Sequence, residues 1–279
     1  MPSTAKQIRD DLERRFGEVV PETAATDALD LLASMAGRGS CRRFKAQPVG
    51  AELVKMLCAI ALASPSKSDL QQRDIIVVND PERKMRLVDL VSGQAWVKAA
   101  PVLLVFCGNN RRQRQLHEWR GHAFANDHLD AFFNAAVDAG IALSAFVTAS
   151  EAIGLGCCPI SAVRNQAKEV SALLELPDHV FPVAGLAVGF PEEKPSISMR
   201  LPLRLTVHED RYCDTETSEA IDTYDAMRIS IQPYAQQRLS EKLGTTDQYG
   251  WSEDKARQYS EPERLDFGDF VRSKGFNLK

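Results

Sequence analysis

The residues best suited to chemistry lie in one short stretch, Arg38–Phe44, which holds three arginines and a serine beside a glycine. Guanidinium and hydroxyl groups bind phosphates well, because charge-assisted and bidentate hydrogen bonds favour them. In an extended backbone, Arg38, Ser40 and Arg42 would point to the same side and converge on one anion. The stretch therefore predicts an anion-binding segment, with a solvated basic loop as the alternative.

Three histidines are candidate metal ligands: His117, His122 and His128. The segment from His117 to His122 resembles the zinc-binding helix motif but contains one residue too many. Five positions along a helix turn the side chain by about 140°, so the two imidazoles would not share a face. We therefore do not predict a metal site.

Other catalytic motifs are incomplete or missing. Gly154-Leu155-Gly156 lacks the third glycine of the dinucleotide fingerprint, and it follows a predicted helix rather than a strand. The sequence contains neither a Gly-x-x-x-x-Gly-Lys loop nor a Gly-x-Ser-x-Gly motif. The many serines and the five histidines leave a hydrolase open, but nothing places a nucleophile beside a base. A missing acid–base pair fits a protein whose chemistry belongs to a bound cofactor.

The composition is that of a globular protein. A chain of 279 residues, 44% of them hydrophobic, can bury the core of one large domain or two small ones. A net charge of −4 and a pI near 5.8 argue against nucleic acid as a partner. Met1–Phe16 has no apolar run and predicts no signal peptide. Ala131–Ala149 is interrupted by Asn134 and Asp138, so no membrane helix is expected.

The cysteines show neither a Cys-x-x-Cys pair nor a regular spacing. The six are Cys41, Cys58, Cys107, Cys157, Cys158 and Cys213. The adjacent Cys157 and Cys158 are poorly placed to bridge each other. Reduced thiols in a cytoplasmic protein are the expectation.

Hydrophobic spacing predicts the elements that would position the candidate residues. Helices are predicted over Ala5–Phe16, Thr26–Met35, the segment after Pro48, Pro81–Leu90, Asp127–Gly154 and Ala167–Leu174. Strands or extended segments are predicted over Ile75–Val78, Pro101–Cys107, Cys158–Ser161, Val180–Gly189 and Pro202–His208. Because proline has no backbone N–H, Pro182 would place the start of its strand at an edge or a bulge.

Asp127–Gly154 is the longest predicted element. Its large apolar residues lie on more than one face, and alanines fill much of the remainder. A helix that is apolar on most sides is buried, so we expect a core helix that also packs against a partner subunit. Gly140 in its middle costs about 1 kcal/mol relative to alanine, which predicts a close helix crossing at that point.

The C-terminal part, residues 209–279, differs in composition. All five tyrosines lie there, together with Trp251 and three phenylalanines, on a polar background. Aromatic anchors among charges suit a segment that covers another subunit. We therefore predict a core domain over residues 1–208 and an extension over residues 209–279 that wraps over the partner. A disordered polar tail is the alternative.

Four blocks, in a fixed order, resemble the nitroreductase family of FMN-dependent reductases. They are Arg38-Gly-Ser-Cys-Arg-Arg-Phe44; Ser64-Pro-Ser-Lys-Ser-Asp-Leu-Gln71; Gly93-Gln-Ala-Trp96; and Gly154-Leu-Gly156 continuing through Ile160-Ser-Ala-Val-Arg-Asn165. Any block alone is a weak signal, whereas the ordered set is specific. The likeness runs from about Arg38 to Tyr212, more loosely to the C-terminus, and is greatest to the flavin reductase branch that prefers NADPH.

The resemblance implies an α+β fold, in which helices flank a central, mostly antiparallel sheet. It also implies an intertwined homodimer with FMN sites at the subunit interface. The positions that match the family's cofactor-binding residues are Arg38, Gly39, Ser40, Cys41, Arg42, Ser66, Gln94, Ala95, Trp96, Pro159, Ile160, Ser161, Ala162, Ser198, Met199 and Arg200.

The same resemblance assigns a role to each group of residues. The arginine stretch would hold the FMN phosphate and the polar rim of the ring, with Ser66 contributing from its loop. Gln94–Trp96 would reach the ring or the ribityl chain. Pro159–Ala162 would lie along the ring, with the backbone N–H of Ser161 or Ala162 near flavin N5. The charge of Arg200 would favour the anionic reduced flavin.

Four positions depart from the family's pattern. Ser198 stands where the branch often has a lysine, and one positive charge fewer would stabilise the reduced flavin less. Ser161 and Ala162 stand where the branch favours two glycines, and Pro159 where it has a bulky residue. The added volume of Ser161 and Ala162 would narrow the space above the ring.

Together these observations predict an FMN-dependent oxidoreductase. NAD(P)H would give a hydride to flavin N5, and a nitroaromatic, quinone or flavin acceptor would then be reduced in a ping-pong mechanism. No catalytic side chain is predicted. The nicotinamide preference stays open, although several arginines would suit a 2′-phosphate: Arg211, Arg228, Arg257 and Arg264. The alternatives are a flavin dehalogenase or oxidase of the same fold, a flavin-binding protein without turnover, and a metal hydrolase.

Overall fold

The computed structural model describes residues 4–20, 27–91 and 94–279. The chain divides into two units, and each draws on two parts of the sequence. The larger unit comprises Ser40–Pro195 and Arg264–Lys279, and the smaller unit comprises Met1–Gly39 and Ser196–Glu263. Thr26 of the predicted second helix and Gly93 of the predicted cofactor block lie outside the described residues.

A four-stranded sheet lies at the centre of the larger unit. Its strands are β1 (Arg73–Val77), β2 (Val102–Asn109), β3 (Gly156–Ile160) and β4 (Val180–Gly189). They are arranged in the order β1-β2-β4-β3, and each neighbouring pair is antiparallel. The predicted antiparallel sheet is therefore confirmed.

Twelve α-helices occur in the described ranges. They are α1 (Thr4–Phe16), α2 (Leu29–Ala36), α3 (Ala51–Leu62), α4 (Pro81–Leu90), α5 (Ala95–Ala99), α6 (Arg111–Arg120), α7 (Leu129–Ala152), α8 (Ala167–Leu173), α9 (Thr217–Ile231), α10 (Ser240–Leu243), α11 (Trp251–Tyr259) and α12 (Phe267–Ser273). Helices α1, α2, α9, α10 and α11 belong to the smaller unit, and the others belong to the larger one. The α+β fold class is confirmed.

Alternating side chains give the sheet two buried faces. Leu103 and Val105 of β2 pack with residues of α4, α5 and α8, whereas Leu104 and Phe106 pack with residues of α3 and α7. Successive side chains of a strand point to opposite faces, so a strand that is apolar throughout must be covered on both. This accounts for the unbroken apolar runs in β2 and β4.

Pro182 lies at a bulge inside the sheet. Phe106 pairs with Ala184 and Cys107 pairs with Pro182, so Val183 is an extra residue on β4. A bulge tolerates a residue without an N–H, whereas a regular central ladder does not. Of the two predicted positions for Pro182, the bulge is confirmed, since β4 is a central strand.

The close approach to α7 occurs at Gly108 rather than at Gly140. A Cβ at Gly108 would lie 2.5 Å from the Phe181 ring and 3.1 Å from the Ala135 carbonyl carbon. No atom of the described chain comes within 4 Å of a Cβ placed at Gly140. The predicted crossing at Gly140 is therefore wrong within this chain, because β2 rather than a second helix makes the tight contact.

Two predictions need correction: the strand over residues 202–208 and the end of the extended segment after α7. Residues 202–208 form no strand, because the N–H groups of Leu205 and Thr206 donate to the nearby carbonyls of Pro202 and Leu203. The result is a 3-10 turn over Leu203–Leu205. The extended segment predicted to end at Ser161 ends at Ile160, where a second 3-10 turn follows.

Helix α7 is long and apolar enough to cross a membrane by length and composition alone. It packs, however, against α3 and all four strands. Ala135, Ala139, Ala142 and Phe146 are completely buried. The predicted role of this helix in the core of the larger unit is therefore confirmed.

Candidate functional site

The smaller unit contains a strongly basic cavity of about 860 Å³. Five of its lining residues are cationic: Arg15, Arg38, Arg200, Arg228 and Lys255. The others are aromatic, apolar or hydroxyl-bearing: Phe16, Met35, Ser198, Met199, Leu201, Thr206, Tyr224, Tyr234 and Trp251. Among the residues that the structure describes, no carboxylate lines this cavity, although Lys255 pairs with the adjacent Asp254 at 2.6 Å. Its volume is that of a small-molecule site.

Arg15, in the last turn of α1, joins two walls of the cavity. Its Nη2 donates hydrogen bonds to Ala36 O at 2.9 Å and to Arg38 O at 2.6 Å, and its Nη1 donates to Ser198 O at 3.2 Å. The carbonyl of Arg15 accepts a bond from the Arg200 N–H at 2.7 Å. The segments that carry Arg38 and Arg200 are thereby fixed through one residue.

A second set of hydrogen bonds to the segment from Ser198 to Arg200 comes from Gln232, the residue after α9. Gln232 Oε1 accepts a bond from Met199 N at 3.2 Å, and Gln232 Nε2 donates to Ile197 O at 2.6 Å. Met199 is buried, while the Arg200 side chain is exposed. The backbone is therefore anchored, and the guanidinium at its end is accessible to a ligand.

Arg228 on α9 faces two tyrosines of the cavity. Its guanidinium lies 4.9 Å from the centre of the Tyr234 ring, and its Nη1 lies 3.5 Å from Tyr224 Oη. Its Nε is buried and has no hydrogen-bond partner among the residues that the structure describes. Burial raises the pKa of Tyr234, which the nearby Arg228 charge opposes. A buried donor without a partner in a basic cavity fits an anionic ligand.

In the larger unit, the residues after Gly39 follow the edge of the sheet. Cys41 N donates to Cys157 O at 2.9 Å, and a Cβ at Gly156 would lie 2.6 Å from Cys41. Cys41 is buried, whereas Arg42 is exposed and places its guanidinium 5.7 Å from the centre of the Trp96 ring. The neighbouring Arg43 has acidic partners instead.

Gln94 and Trp96 form a small polar group at the start of α5. Trp96 Nε1 donates a hydrogen bond to Gln94 Oε1, and Ala95 is the first residue of the helix. Because Arg42 lies over the Trp96 ring, two of the predicted cofactor blocks meet in the larger unit. Gln94 and Ala95 are exposed.

The predicted ring-binding segment lies where β3 ends. Pro159 pairs with Leu186 and is exposed, whereas Ile160 pairs with Gly185 and is buried. The chain then enters a 3-10 turn over Ser161–Arg164. Pro159, Ser161 and Ala162 retain exposed surface at this edge of the sheet.

A buried carboxylate fixes the loop that carries Ser66. Asp138 of α7 accepts hydrogen bonds from Lys67 N at 3.0 Å and from Gln72 N at 2.9 Å. Ser66 Oγ accepts a bond from Gln71 N at 3.2 Å and closes the same loop. The sequence contained a signal for this role, since an aspartate in the middle of an apolar helix requires buried partners.

The structure thus places the predicted cofactor-binding residues in separate groups. Arg38, Ser198, Met199 and Arg200 share the cavity of the smaller unit. Sequence reasoning missed Arg15, Tyr234 and Lys255 as lining residues, because only the tertiary contacts bring them to the cavity. Two of the arginines considered for a 2′-phosphate have other roles: Arg257 is buried and donates to the carbonyls of Arg238 and Gly244, and Arg264 donates to Asn165.

The candidate metal ligands do not assemble. His117 Nδ1 lies 3.0 Å from the Ala123 carbonyl oxygen, and His128 Nδ1 accepts a bond from Asp130 N at the start of α7. Across residues 4–20, 27–91 and 94–279, no group of three or more histidine, cysteine or acidic side chains is placed to hold a metal ion.

Comparison with known proteins gives consistent matches along the chain. The model of the nitroreductase family matches residues 35–190, and that of the nitroreductase family C-terminal domain matches residues 198–279. An FMN reductase [NAD(P)H] of Bacillus subtilis is 31% identical over 255 residues, which cover 90% of this chain and 99% of the relative.

Two solved structures show the same architecture. NfrA2 of B. megaterium has a TM-score of 0.81 and 29% identity, and the match covers 90% of this chain and 99% of that one. The NADPH:FMN oxidoreductase from Vibrio harveyi, solved with NAD⁺, has a TM-score of 0.77 and 27% identity, with 88% and 98% covered.

A four-stranded antiparallel sheet flanked by helices and a cavity lined by five cationic side chains define an α+β protein suited to an anionic ligand. The matching family models and relatives identify the family of this protein. The chain belongs to the nitroreductase family.

Proposed function

We propose that this protein is an FMN-dependent oxidoreductase that uses NAD(P)H as its electron donor. The cavity lined by five cationic side chains, which brings Arg38 to Ser198–Arg200, is the observation that carries the proposal. A flavin mononucleotide ends in a phosphate dianion, and guanidinium groups bind such a group strongly. Relatives named FMN reductase [NAD(P)H] and NADPH-flavin oxidoreductase support this cofactor and this donor.

In the smaller unit, Arg38 and Arg200 are assigned to the FMN phosphate. Both line the basic cavity, and both have their backbones fixed through Arg15. Arg228, whose buried Nε has no partner among the described residues, adds positive charge to the same cavity. Together these residues would bind the phosphate and orient the cofactor.

In the larger unit, the family resemblance alone assigns two segments to the cofactor, Pro159–Ala162 and Gln94–Trp96. Pro159–Ala162 provides exposed backbone at the end of β3, and Gln94–Trp96 provides an amide and an indole beside Arg42. Ser66, Gly39, Ser40 and Cys41 stay assigned to the cofactor on the family resemblance alone. When bound, FMN supplies hydride transfer through its N5 atom.

Donor and acceptor are proposed to use the site in alternation. A ping-pong reaction needs an open cofactor face, and Pro159 and Ser161 are exposed. The acceptors proposed are nitroaromatics, quinones and free flavins. A relative named oxygen-insensitive NADPH nitroreductase, 35% identical over 178 residues, supports the first of these.

A homodimer is proposed as the functional assembly. Helix α7 exposes Leu129, Phe133 and Val137 at intervals of four residues, so the three lie on one face of the helix. The adjoining α3 exposes Met56 and Ile60 in the same manner. Large apolar side chains on two packed helices are suited to a subunit interface. The wrapping of residues 209–279 over the partner and the domain boundary after residue 208 remain predictions.

The cytoplasm is the proposed location. All six cysteines are free thiols in the structure. Burial raises the pKa of Cys41, Cys58 and Cys107, so these three stay protonated near neutral pH. A fold that holds its cysteines as free thiols, without disulfides, is suited to a reducing compartment.

Purified protein tests the proposed function directly. We expect FMN absorbance in the purified protein, or its recovery when FMN is added, and bleaching when NADPH is added without oxygen. Addition of a nitroaromatic or a quinone should then restore the oxidised spectrum. A protein that takes up no FMN contradicts the proposal, and one that holds FMN without bleaching is the flavin-binding protein without turnover.

A further inference from the structure

Helix α1 lies before the part of the chain that the family model matches, which begins at residue 35. It nevertheless contributes Arg15 and Phe16 to the wall of the basic cavity. An element outside the family core therefore contacts residues that we assign to the cofactor phosphate. The contacts of Arg15 show what this element does.

Arg15 is buried, with 7% of its surface exposed, and three of its hydrogen-bond acceptors are backbone carbonyls. These carbonyls belong to Ala36, Arg38 and Ser198, which lie on two segments far apart in sequence. The return bond from Arg200 N to the Arg15 carbonyl makes the link reciprocal. Removal of the Arg15 side chain would leave both segments without this shared anchor.

The junction between α1 and the segment after α2 is tightly packed. A Cβ at Gly37 would lie 2.7 Å from Asp11 Oδ2 and 3.2 Å from the Ala33 carbonyl oxygen. A side chain at this position would have to displace the Asp11 carboxylate, so α1 packs closely against the backbone that leads to Arg38. The position of α1 sets the direction in which the chain leaves α2.

We propose that Arg15 is a positioning residue for phosphate recognition. It holds the backbones of Arg38 and Arg200 at fixed places on the cavity wall and adds its own charge to the cavity. The inference rests on the proposed function, because the phosphate is that of FMN. It deepens that function by assigning a role to a helix outside the matched family region.

Arginine suits this role better than lysine does. The guanidinium is a rigid plane with five N–H donors, so one side chain can reach several carbonyls in fixed directions. The ammonium of lysine is a single point on a flexible stem. Arg15→Lys would keep the charge but would lose part of the link between the segments of Arg38 and Ser198.

The test compares the affinities for FMN and for riboflavin, which lacks the phosphate. Both are measured by quenching of flavin fluorescence in wild type, Arg15→Met, Arg15→Lys and the control Arg9→Met. We expect Arg15→Met to weaken FMN binding by about tenfold or more and to change riboflavin binding by less than about twofold. Arg15→Lys should recover part of the FMN affinity.

Arg9 is a matched control because it lies on the same helix, α1. Its side chain pairs with Asp10 and Glu13 at 3.7 Å, and all three side chains are 32–43% exposed. Pairs that reach solvent contribute little, so both flavin affinities should stay at the wild-type values. If Arg15→Met does not accumulate as folded protein, Arg15→Lys carries the comparison, with a smaller loss confined to FMN.

Several outcomes would overturn the inference while leaving the proposed function intact. FMN and riboflavin affinities could fall in the same proportion in the Arg15 variants, which would indicate a general loss of structure. The FMN affinity could also be unchanged, or the wild type could bind the two flavins equally well. A wild type that binds neither flavin would instead contradict the proposed function.

Discussion

Arg73 and Asp138 form an ion pair inside the larger unit, with 3.7 Å between Arg73 Nη1 and Asp138 Oδ2. Both side chains are buried, with 4% and 0% of their surface exposed. The carboxylate also accepts the N–H groups of Lys67 and Gln72, and Arg73 Nη2 donates to the carbonyls of Leu62 and Ser64. One charge pair thus fixes both ends of the loop that contains Ser66.

Asp138→Ala is expected to destabilise the protein strongly. It would leave the Arg73 guanidinium buried without its counter-charge and two loop N–H groups without an acceptor. The loss of one partner of a buried pair costs about 3–5 kcal/mol of the free energy of unfolding. Denaturant unfolding followed by circular dichroism measures this difference.

Asp130→Ala is the matched control on the same helix. Asp130 Oδ2 also lies 3.7 Å from its cation, Lys67 Nζ, but both side chains are about half exposed. The expected loss is at most about 1 kcal/mol. Equal losses in the two variants would show that burial does not set the strength of the Asp138 pair.

Gly108→Ala is expected to destabilise the contact between β2 and α7. The new Cβ would come within 2.5 Å of the buried Phe181 ring and within 3.1 Å of the Ala135 backbone. Overpacking of this kind costs about 1–3 kcal/mol. Thermal and denaturant unfolding of the purified variant provide the measurement.

Gly140→Ala is the companion variant, and it is expected to act in the opposite direction. No atom of the described chain lies within 4 Å of the new Cβ, and alanine is favoured over glycine within a helix by about 1 kcal/mol. A gain in stability is therefore expected. A loss would show that a partner helix packs against this position in the assembled protein.

The elements that depend on local patterns could be predicted from the sequence. The apolar run Val180–Gly189 is β4 to the residue, and α4 begins at Pro81 behind its Asp80 cap. The strand predicted over Pro202–His208 does not form, because a segment with alternating apolar residues becomes a strand only where a neighbouring strand pairs with it. The local carbonyls of Pro202 and Leu203 were the closer acceptors.

The candidate site could be predicted only in part. The family and its FMN and NAD(P)H chemistry followed from ordered motifs, and the relatives agree with them. Arg15 could not be predicted, because its partners lie 21 and 183 residues away and its helix carries no motif. The assignment of each residue to the cofactor remains a prediction.

Asp254 in α11 makes the smaller unit sensitive to acid. Burial raises the pKa of this carboxyl, but hydrogen bonds from Lys255 and Tyr249, together with the charges of Lys255 and Arg238, outweigh burial, so the pKa lies below its ordinary value. A carboxyl with a lowered pKa in the folded state stabilises the fold above the pKa of the unfolded chain, about 3.9. This stabilisation is lost as the pH falls through the lower folded pKa.

Asp254→Asn tests this dependence on pH. At pH 7 the variant should be less stable than the wild type, because Lys255 and Arg238 lose their counter-charge. The difference between the two free energies of unfolding should narrow as the pH falls below about 4. A difference that stays constant from pH 7 to pH 2 would contradict the lowered pKa.

Arg42→Ala is expected to weaken the retention of FMN. Arg42 is exposed beside Trp96 and, by the family resemblance, faces the cofactor. A charge-assisted hydrogen bond to a phosphate or to the polar rim of the ring contributes enough for its loss to lower the affinity by about tenfold. The FMN content after dialysis and the dissociation constant from fluorescence titration both measure this effect.

Arg43→Ala separates a specific contact from a general effect of charge. Arg43 is the next residue and equally cationic, but its Nε lies 3.4 Å from Glu192 and its Nη1 lies 2.9 Å from Glu193. Because these exposed pairs already occupy its guanidinium, the FMN affinity of this variant should match that of the wild type. If both variants lose FMN equally, the overall positive charge, rather than a specific contact of Arg42, governs the retention of FMN. If neither does, Arg42 is misassigned and makes no contact that retains the cofactor.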